Sequence, residues 1–306
     1  MPPPYRGRFA PSPTGPLHFG SLVAAVGSYL AARHAGGEWL VRIEDLDPPR
    51  EIAGSADQII TTLATFGFEW NESIVRQSSR ASLYEAAVGK LLDSGDAFYC
   101  SCSRAEIEAA SGTALDGDEL RYPGWCRSGV RMPGRKLAVR FRASTEPVVF
   151  SDCVQGLTSA NVGGEIGDFV IRRRDGLFAY QLAVVVDDAA QGITHVVRGA
   201  DLLRSTPRQI LLQRALRLPT PTYAHMPVAI DHNGIKLSKS AGAASLDLQR
   251  PGEELWRALR FLRQAPPCEL RGSDLSTLWS WAIAHWTPAP LNGVASVTVD
   301  GTTERE

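Results

Sequence analysis

The chain has 306 residues, of which 44% are hydrophobic and 21% charged, with a formal net charge of −1. That balance describes a globular chain large enough to bury a sizeable core, and it excludes collagen-like and disordered classes. A charge so close to zero excludes a global attraction to nucleic acid or anionic membrane, so any RNA contact has to come from local basic patches.

In chain order, the first stretch has no apolar signal-peptide core, and no run approaches the ~20 apolar residues that span a bilayer. A cytoplasmic protein without a membrane role is expected, and no obligate protein partner is evident. Residues 7–10 read as a short strand stopped by Pro11 and Pro13. A helix is predicted over 19–33, with Leu22, Val26, Tyr29 and Leu30 at helical spacing and Gly36-Gly37 closing it. Residues 38–43 form a second strand. Asp47-Pro48 reads as a helix start with Asp47 as N-cap, the helix running toward residue 66, and another helix covers 81–93. Strand, helix, strand, helix predicts an α/β fold with a parallel sheet of Rossmann type.

The pattern changes near residue 98. The Gly- and Ser-rich segment that follows, with short β-like runs at 137–141 and 148–150, reads as an insertion over 98–177 that separates a first half (1–97) from a second half (178–245). In the second half, 180–186 and 193–197 have strand-like composition, 204–216 is a helix and 222–230 a strand region. Residues 246–306 read as a short helical tail. There Leu275, Leu278, Trp279, Ala282, Ile283 and Trp286 share one helical face, expected to pack on the core rather than stack on bases. His195, in an apolar strand, is expected to be a satisfied core residue.

Two motifs carry chemistry. The first is Arg8-Phe9-Ala10-Pro11-Ser12-Pro13-Thr14-Gly15-Pro16-Leu17-His18-Phe19-Gly20-Ser21, and the second is Lys236-Leu237-Ser238-Lys239-Ser240. The pair resembles the HIGH and KMSKS signatures of class I aminoacyl-tRNA synthetases, the first in its glutamyl form. Ser21 replaces the last histidine and Leu237 the methionine. The resemblance implies attack of a carboxylate on the α-phosphate of ATP, with Mg²⁺ accompanying the nucleotide. That chemistry needs donors aimed at phosphate oxygens, plus positioning, rather than a covalent nucleophile. His18, Gly20 and Ser21 at a helix N-terminus suit ATP binding. Lys236 and Lys239 suit a loop that closes over the phosphates, with Ser238 and Ser240 as further donors. His18, Lys236 and Lys239 are the catalytic candidates.

Glutamate presents two carboxylates and one ammonium, so its pocket needs fixed cationic donors and an acid. Arg8 and Arg198 are the candidates for carboxylate and Glu44 for the ammonium. The resemblance extends through Arg42-Ile43-Glu44-Asp45-Leu46-Asp47, the stretch 180–188 and Val197-Arg198-Gly199. It implies that Arg8, Phe9, Ala10, Pro11, Ser12, Glu44, Tyr180 and Arg198 bind glutamate. Val184 stands where discriminating glutamyl enzymes carry asparagine.

Cys100, Cys102 and Cys126 place three thiols in one short segment of the insertion, a zinc-like donor set for a structural site. Tyr99, Tyr122 and Cys153 are the available fourth ligands, and ligand chemistry by itself favours Cys153. The resemblance favours Tyr122, because short glutamyl-type proteins carry Cys-x-Cys followed by Tyr-x-x-x-Cys.

Few residues follow the lysine motif, so no anticodon-binding domain is expected. This pattern resembles the truncated paralogues of glutamyl-tRNA synthetase. The resemblance implies tRNA-independent activation of glutamate and its transfer to queuosine at the wobble position of tRNA(Asp). Arg172, Arg173 and Arg174 are then candidates for phosphate contacts. The alternatives are a minimal glutamyl-tRNA synthetase charging the tRNA 3′ end, a nucleotidyl transferase acting on a small molecule, and an inactive paralogue that senses glutamate or binds RNA.

Overall fold

The computed structural model describes residues 4–111, 120–237 and 245–299. Strand β1 (Arg6–Phe9) leads into helix α1 (Phe19–His34), which returns the chain to strand β2 (Glu38–Ile43). Helix α1 is buried on most of its circumference, through Leu22, Val23, Val26, Tyr29 and Leu30. It therefore lacks the polar stripe of a surface helix. Gly36, at φ +64°, makes the left-handed turn between α1 and β2. β2 lies parallel to β1, with Arg8 opposite Leu40.

The helix expected to run from Asp47 toward residue 66 is divided. Pro48–Arg50 is a single 3₁₀ turn, and α2 (Ser55–Thr65) starts only after Gly54 at φ +78°. Asp47 makes no capping bond; its carboxylate pairs with Arg50 and with Arg173. Strand β3 (Val75–Arg76) extends the sheet beside β2, and α3 (Ala81–Asp93) follows as expected.

The chain then forms β4 (Ala97–Cys100), α4 (Arg104–Ser111) and β5 (Ala138–Phe141). Next come the hairpin β6 (Val148–Asp152) and β7 (Gly156–Ala160), the short α5 (Val162–Glu165) and β8 (Phe169–Arg172). β4, β5 and β8 make a separate antiparallel sheet. β6 instead joins the second half, so sheet membership does not follow the 98–177 boundary.

The second half comprises α6 (Tyr180–Ala190), β9 (His195–Gly199), α7 (Thr206–Leu216), β10 (Thr222–Met226) and β11 (Val228–Ile230). The strand-like reading of 180–186 is thus corrected: the segment is a helix. Its valines lie on α6, with Val184 and Val185 packed in the core beside Leu182 and Ala183. A short apolar run does not reveal its period by composition alone. The sheet order here is β7-β6-β10-β9, with β10 parallel to both of its neighbours.

The Thr194 N–H donates to the Arg6 carbonyl at 2.9 Å, and the Arg6 N–H to Thr194 Oγ1 at 2.8 Å. These bonds set β9 beside β1, so the strands run 3-2-1-9-10-6 and the sequence order reverses between β1 and β9. Ligands of open α/β sheets bind outside the carboxyl ends of the strands at such a switch point.

The tail carries α8 (Pro251–Phe261), α9 (Leu275–His285) and β12 (Ser296–Thr298). β12 corrects the all-helical expectation: it pairs parallel with β11. Trp279 is buried, its ring against Tyr29 and Phe68 and its Nε1 donating to the Phe66 carbonyl at 2.9 Å. Leu278, Ala282 and Trp286 join the same core. His195 is half-buried, stacked on Tyr5 at 3.9 Å, and burial holds its imidazole below the ordinary value. No described helix is long and apolar enough to cross a membrane.

Candidate active site

A cavity of about 1140 Å³ opens at the switch point. Its wall brings together Arg8, Phe9, Ala10, Pro11 and Ser12 from the end of β1, and His18, Gly20 and Ser21 from the start of α1. Glu44 enters after β2, Tyr180 at the start of α6, Arg198 from β9, and Lys236 from the segment after β11. Lys239 lies outside the described residues, as do Ser238 and Ser240. The other candidates for ATP and glutamate binding, from Arg8 to Ser12 with His18, Gly20, Ser21, Glu44, Tyr180, Arg198 and Lys236, line this one cavity.

The histidine motif meets the chain on both sides of residues 238–244. The Leu246 N–H donates to the Leu17 carbonyl at 3.4 Å, and His18 bridges to Ser245. A Cβ on Gly20 would meet the His18 ring at 3.2 Å and the Leu237 carbonyl at 3.5 Å. Glycine permits the approach of helix, ring and loop. His18 Nδ1 accepts a long bond of 3.4 Å from the Ser21 N–H, capping α1. No acidic residue lies in the first turn of α1, so the positive end of the helix faces the cavity without an internal counter-charge. Lys236 Nζ donates to Asp201 Oδ2 at 2.6 Å.

Two arginines flank the cavity in different electrostatic states. Arg8 is bound to Asp188 through Nε at 3.1 Å and Nη2 at 3.3 Å, and Arg42 Nη1 meets the same carboxylate at 2.8 Å. Burial raises Asp188, but the two guanidinium groups outweigh it and hold the carboxyl below the ordinary value. Arg198 is 5% exposed, and among the described residues it has only neutral partners. Its Nε donates to His225 Nε2 at 3.0 Å, Nη1 to Tyr180 Oη at 3.3 Å, and Nη2 to Thr206 Oγ1 and Gln209 Oε1, both at 2.8 Å.

Glu44 directly follows β2 with its side chain almost enclosed, and its N–H donates to the Pro11 carbonyl at 3.0 Å, tying the strand end to the first motif. Burial raises the Glu44 carboxyl above its ordinary value, more than Arg42 and Arg8 lower it. Val184 is buried in the core and does not line the cavity.

Asp188, Arg42, Asp201 and His225 were not singled out from the sequence. The acidic pair after the valine run was a signal: two acids flanked by apolar residues on a buried element need cationic partners. Arg172 and Arg173 pair with Glu85 and with Asp47 and Asp175, and Arg174 donates to the Ser101 carbonyl. All three are engaged within the chain.

The insertion brings Cys100, Cys102 and Cys126 together, their Sγ atoms within 4.8 Å of one another and all three residues buried. Tyr122 Oη lies 3.4 Å from Cys100 Sγ and 3.7 Å from Cys102 Sγ, and accepts the Cys126 N–H at 2.8 Å. Cys153 is exposed at the end of β6, bonded through its N–H to the Tyr223 carbonyl in the main sheet. Tyr99 is 48% exposed. Of the three fourth-ligand candidates, Tyr122 is the one whose side-chain oxygen lies beside the thiols. Three mutually close buried thiols with an adjacent phenol suit a soft tetrahedral cation such as zinc.

The family pattern described as the catalytic domain of class I tRNA synthetases (E and Q) matches residues 5–261. The chain is 55% identical over 285 residues to a glutamyl-Q tRNA(Asp) synthetase of Dechloromonas aromatica, covering 93% of this chain and 94% of that protein. It is 54% identical over 300 residues to one of Geobacter sulfurreducens, covering 96% of each. Among solved structures, a glutamate-tRNA synthetase from Elizabethkingia anophelis superposes with a TM-score of 0.79 at 24% identity, over 98% of this chain and 68% of that one. That likeness speaks to the fold.

Proposed function

The chain belongs to the class I tRNA synthetases of the E and Q type, as a ligase-type enzyme of the glutamyl-Q tRNA(Asp) synthetase group, and from that premise we propose that it joins glutamate to AMP without tRNA and then passes glutamate to queuosine of tRNA(Asp). The observation that carries the first step is Arg198, a buried guanidinium in the cavity wall whose partners among the described residues are all neutral. A ligand carboxylate supplies the missing counter-charge, and a buried cation strongly favours such a partner. Tyr180 Oη accepts from Arg198, so its own O–H is left to donate to the same carboxylate.

In this reading Glu44 takes the ammonium of glutamate. Arg8 sets the backbone from Phe9 to Ser12 and contributes positive potential, although Asp188 already claims its fork. The α-carboxylate oxygen attacks the α-phosphorus of ATP, the bond to pyrophosphate breaks, and pyrophosphate leaves. The N–H groups at the start of α1 and the positive end of that helix stabilise the charge on the phosphates. His18 accepts at Nδ1 from Ser21, which places the proton of the neutral ring on Nε2, where it serves as a donor. Lys236 and Lys239 supply positive charge for the phosphates, and Asp201 pairs with Lys236 at the cavity edge. In the second step an acceptor hydroxyl on the RNA attacks the adenylate carbonyl and AMP departs.

Cys100, Cys102, Tyr122 and Cys126 would hold one structural zinc, which would staple β4 to the loop before β5 and leave no open position for chemistry. The relatives' names support the queuosine acceptor.

Two measurements on the purified chain test the proposal. Glutamate-dependent ATP–pyrophosphate exchange without tRNA is expected, and its absence rejects adenylate formation. Labelled glutamate is expected on queuosine-containing tRNA(Asp) and not on the queuosine-free form. Label on the 3′ end of tRNA(Glu) instead identifies a minimal glutamyl-tRNA synthetase.

A further inference from the structure

Behind the cavity wall, the neutral partner of Arg198 is itself held by a charged one. His225 sits in β10 directly opposite Arg198 in β9, with no exposed surface. Its Nδ1 lies 2.6 Å from Oδ2 of the buried Asp152, at the end of the next strand, β6. The other oxygen, Oδ1, accepts three backbone N–H groups: His225 at 3.0 Å, Val154 at 3.0 Å and Gln155 at 2.9 Å. A carboxylate surrounded by donors stays ionised. The Asp152 side chain is pushed up by burial, but the bonds from His225 and the backbone amides hold it below its ordinary value. An ionised Oδ2 accepts, so His225 Nδ1 carries the hydrogen. In the neutral ring Nε2 is then a bare acceptor, and Arg198 Nε lies 3.0 Å from it.

We propose that Asp152 and His225 are positioning residues that select one imidazole tautomer and through it fix the plane of Arg198, setting the selectivity of the cavity for the side-chain carboxylate of its amino acid. The inference rests on the assignment of Arg198 to a substrate carboxylate. Had Asp152 bonded Arg198 directly, it would have neutralised the charge that the ligand needs, as Asp188 does for Arg8. A neutral imidazole between them orients the guanidinium and leaves its charge for the substrate. Neither His225 nor Asp152 lines the cavity, so both act through Arg198.

The alternative tautomer would oppose two donors, Nε2–H and the Arg198 Nε–H. In D152N the amide nitrogen facing Nδ1 donates to it and moves the ring proton to Nε2. H225N keeps a donor near the Nδ1 position for Asp152 but has no acceptor at the Nε2 position. H225Q reaches the Nε2 position and restores an acceptor there.

The test is glutamate-dependent ATP–pyrophosphate exchange by the full chain, with R198A as control. D152N and H225N are expected to raise the glutamate KM about tenfold or more, the loss of one bond to a charged group, with the ATP KM within about twofold of wild type. H225Q is expected to recover most of the loss seen in H225N. An unchanged glutamate KM in folded D152N, or equal losses in H225N and H225Q, overturns the proposal. If R198A also leaves the glutamate KM unchanged, the pocket assignment itself has failed; if R198A raises it and D152N does not, only the relay has failed. Should the variants not fold, ¹⁵N spectra of the wild-type imidazole decide. A neutral ring protonated at Nδ1 is expected, and an Nε2–H tautomer or an imidazolium overturns it.

Discussion

Arg8 of β1 and Asp188 of α6, 180 residues apart in sequence, close a buried two-bond ion pair at 3.1 and 3.3 Å. Arg198, on the neighbouring strand β9, has no such partner among the described residues. The two arginines read alike in the sequence, yet one has its charge met internally and the other does not. Their substitutions should therefore separate.

Arg198→Ala is expected to raise the glutamate KM by about two orders of magnitude, since it removes a charge-assisted contact worth ~1.5–3 kcal/mol. Arg8→Ala is expected to act mainly on stability. Asp188 then keeps only Arg42, and breaking a buried pair costs about 3 kcal/mol. Thermal melting and exchange kinetics on the two variants check the contrast. Equal melting temperatures, with the larger KM change in Arg8→Ala, would reverse the assignment.

Glu44 carries a stability penalty from burial. Burial raises its carboxyl in the folded state, so the folded chain binds that proton more readily than the unfolded chain does. This group's contribution to stability is therefore present at low pH and lost as pH rises through the raised value. Glu44→Gln should melt higher than wild type at neutral pH, with the gap narrowing as pH falls toward the ordinary carboxylate range. The variant should also lose glutamate-dependent exchange. In wild type, the glutamate KM should rise as pH falls through the raised Glu44 value. A lower melting temperature for the variant at neutral pH would contradict the penalty.

The thiol cluster should carry one zinc per chain, measured by mass spectrometry on tag-free protein; a stoichiometry near zero removes the metal. Chelation should lower the melting temperature. Tyr122→Phe should weaken zinc retention while leaving the glutamate KM near its wild-type value. Cys153→Ser should leave zinc retention unchanged, because Cys153 lies in the main sheet.

The lysine segment should act on the transition state. Lys239→Ala is expected to remove ~2–4 kcal/mol of transition-state stabilisation with folding intact. Lys236→Ala should lower kcat in the same direction, and Asp201→Asn should leave Lys236 without its 2.6 Å partner. Unchanged exchange kinetics in both lysine variants would exclude the segment from the reaction.

What proved legible in the sequence was local. The burial period of Leu22, Val26 and Leu30, the stop at Gly36 and the limits of β2 and α3 follow from contacts within a few residues. The motif residues could be named as a set because their order along the chain carries that information, and His18, Gly20, Ser21 and Lys236 line one cavity. The valine run on α6 was misread because β-branched composition favours a strand wherever packing does not decide, and here packing against the core decided for a helix. Asp47 was misplaced for a related reason. Its capping signal was outcompeted by Arg50 and by Arg173, which lies 126 residues away.

The sequence by itself determined which side chains are available: a histidine and glycines in the first motif, lysines in the second, two arginines and an acid suited to a zwitterion, and three thiols close in sequence. Only the tertiary structure decided what each charge faces. It gave Arg8 to Asp188 and left Arg198 to a neutral imidazole; it put Tyr122 rather than Cys153 beside the thiols. The reason is physical. Backbone preferences act over a few residues, whereas the interaction of charges depends on distance and burial, and both are set by which strands lie side by side.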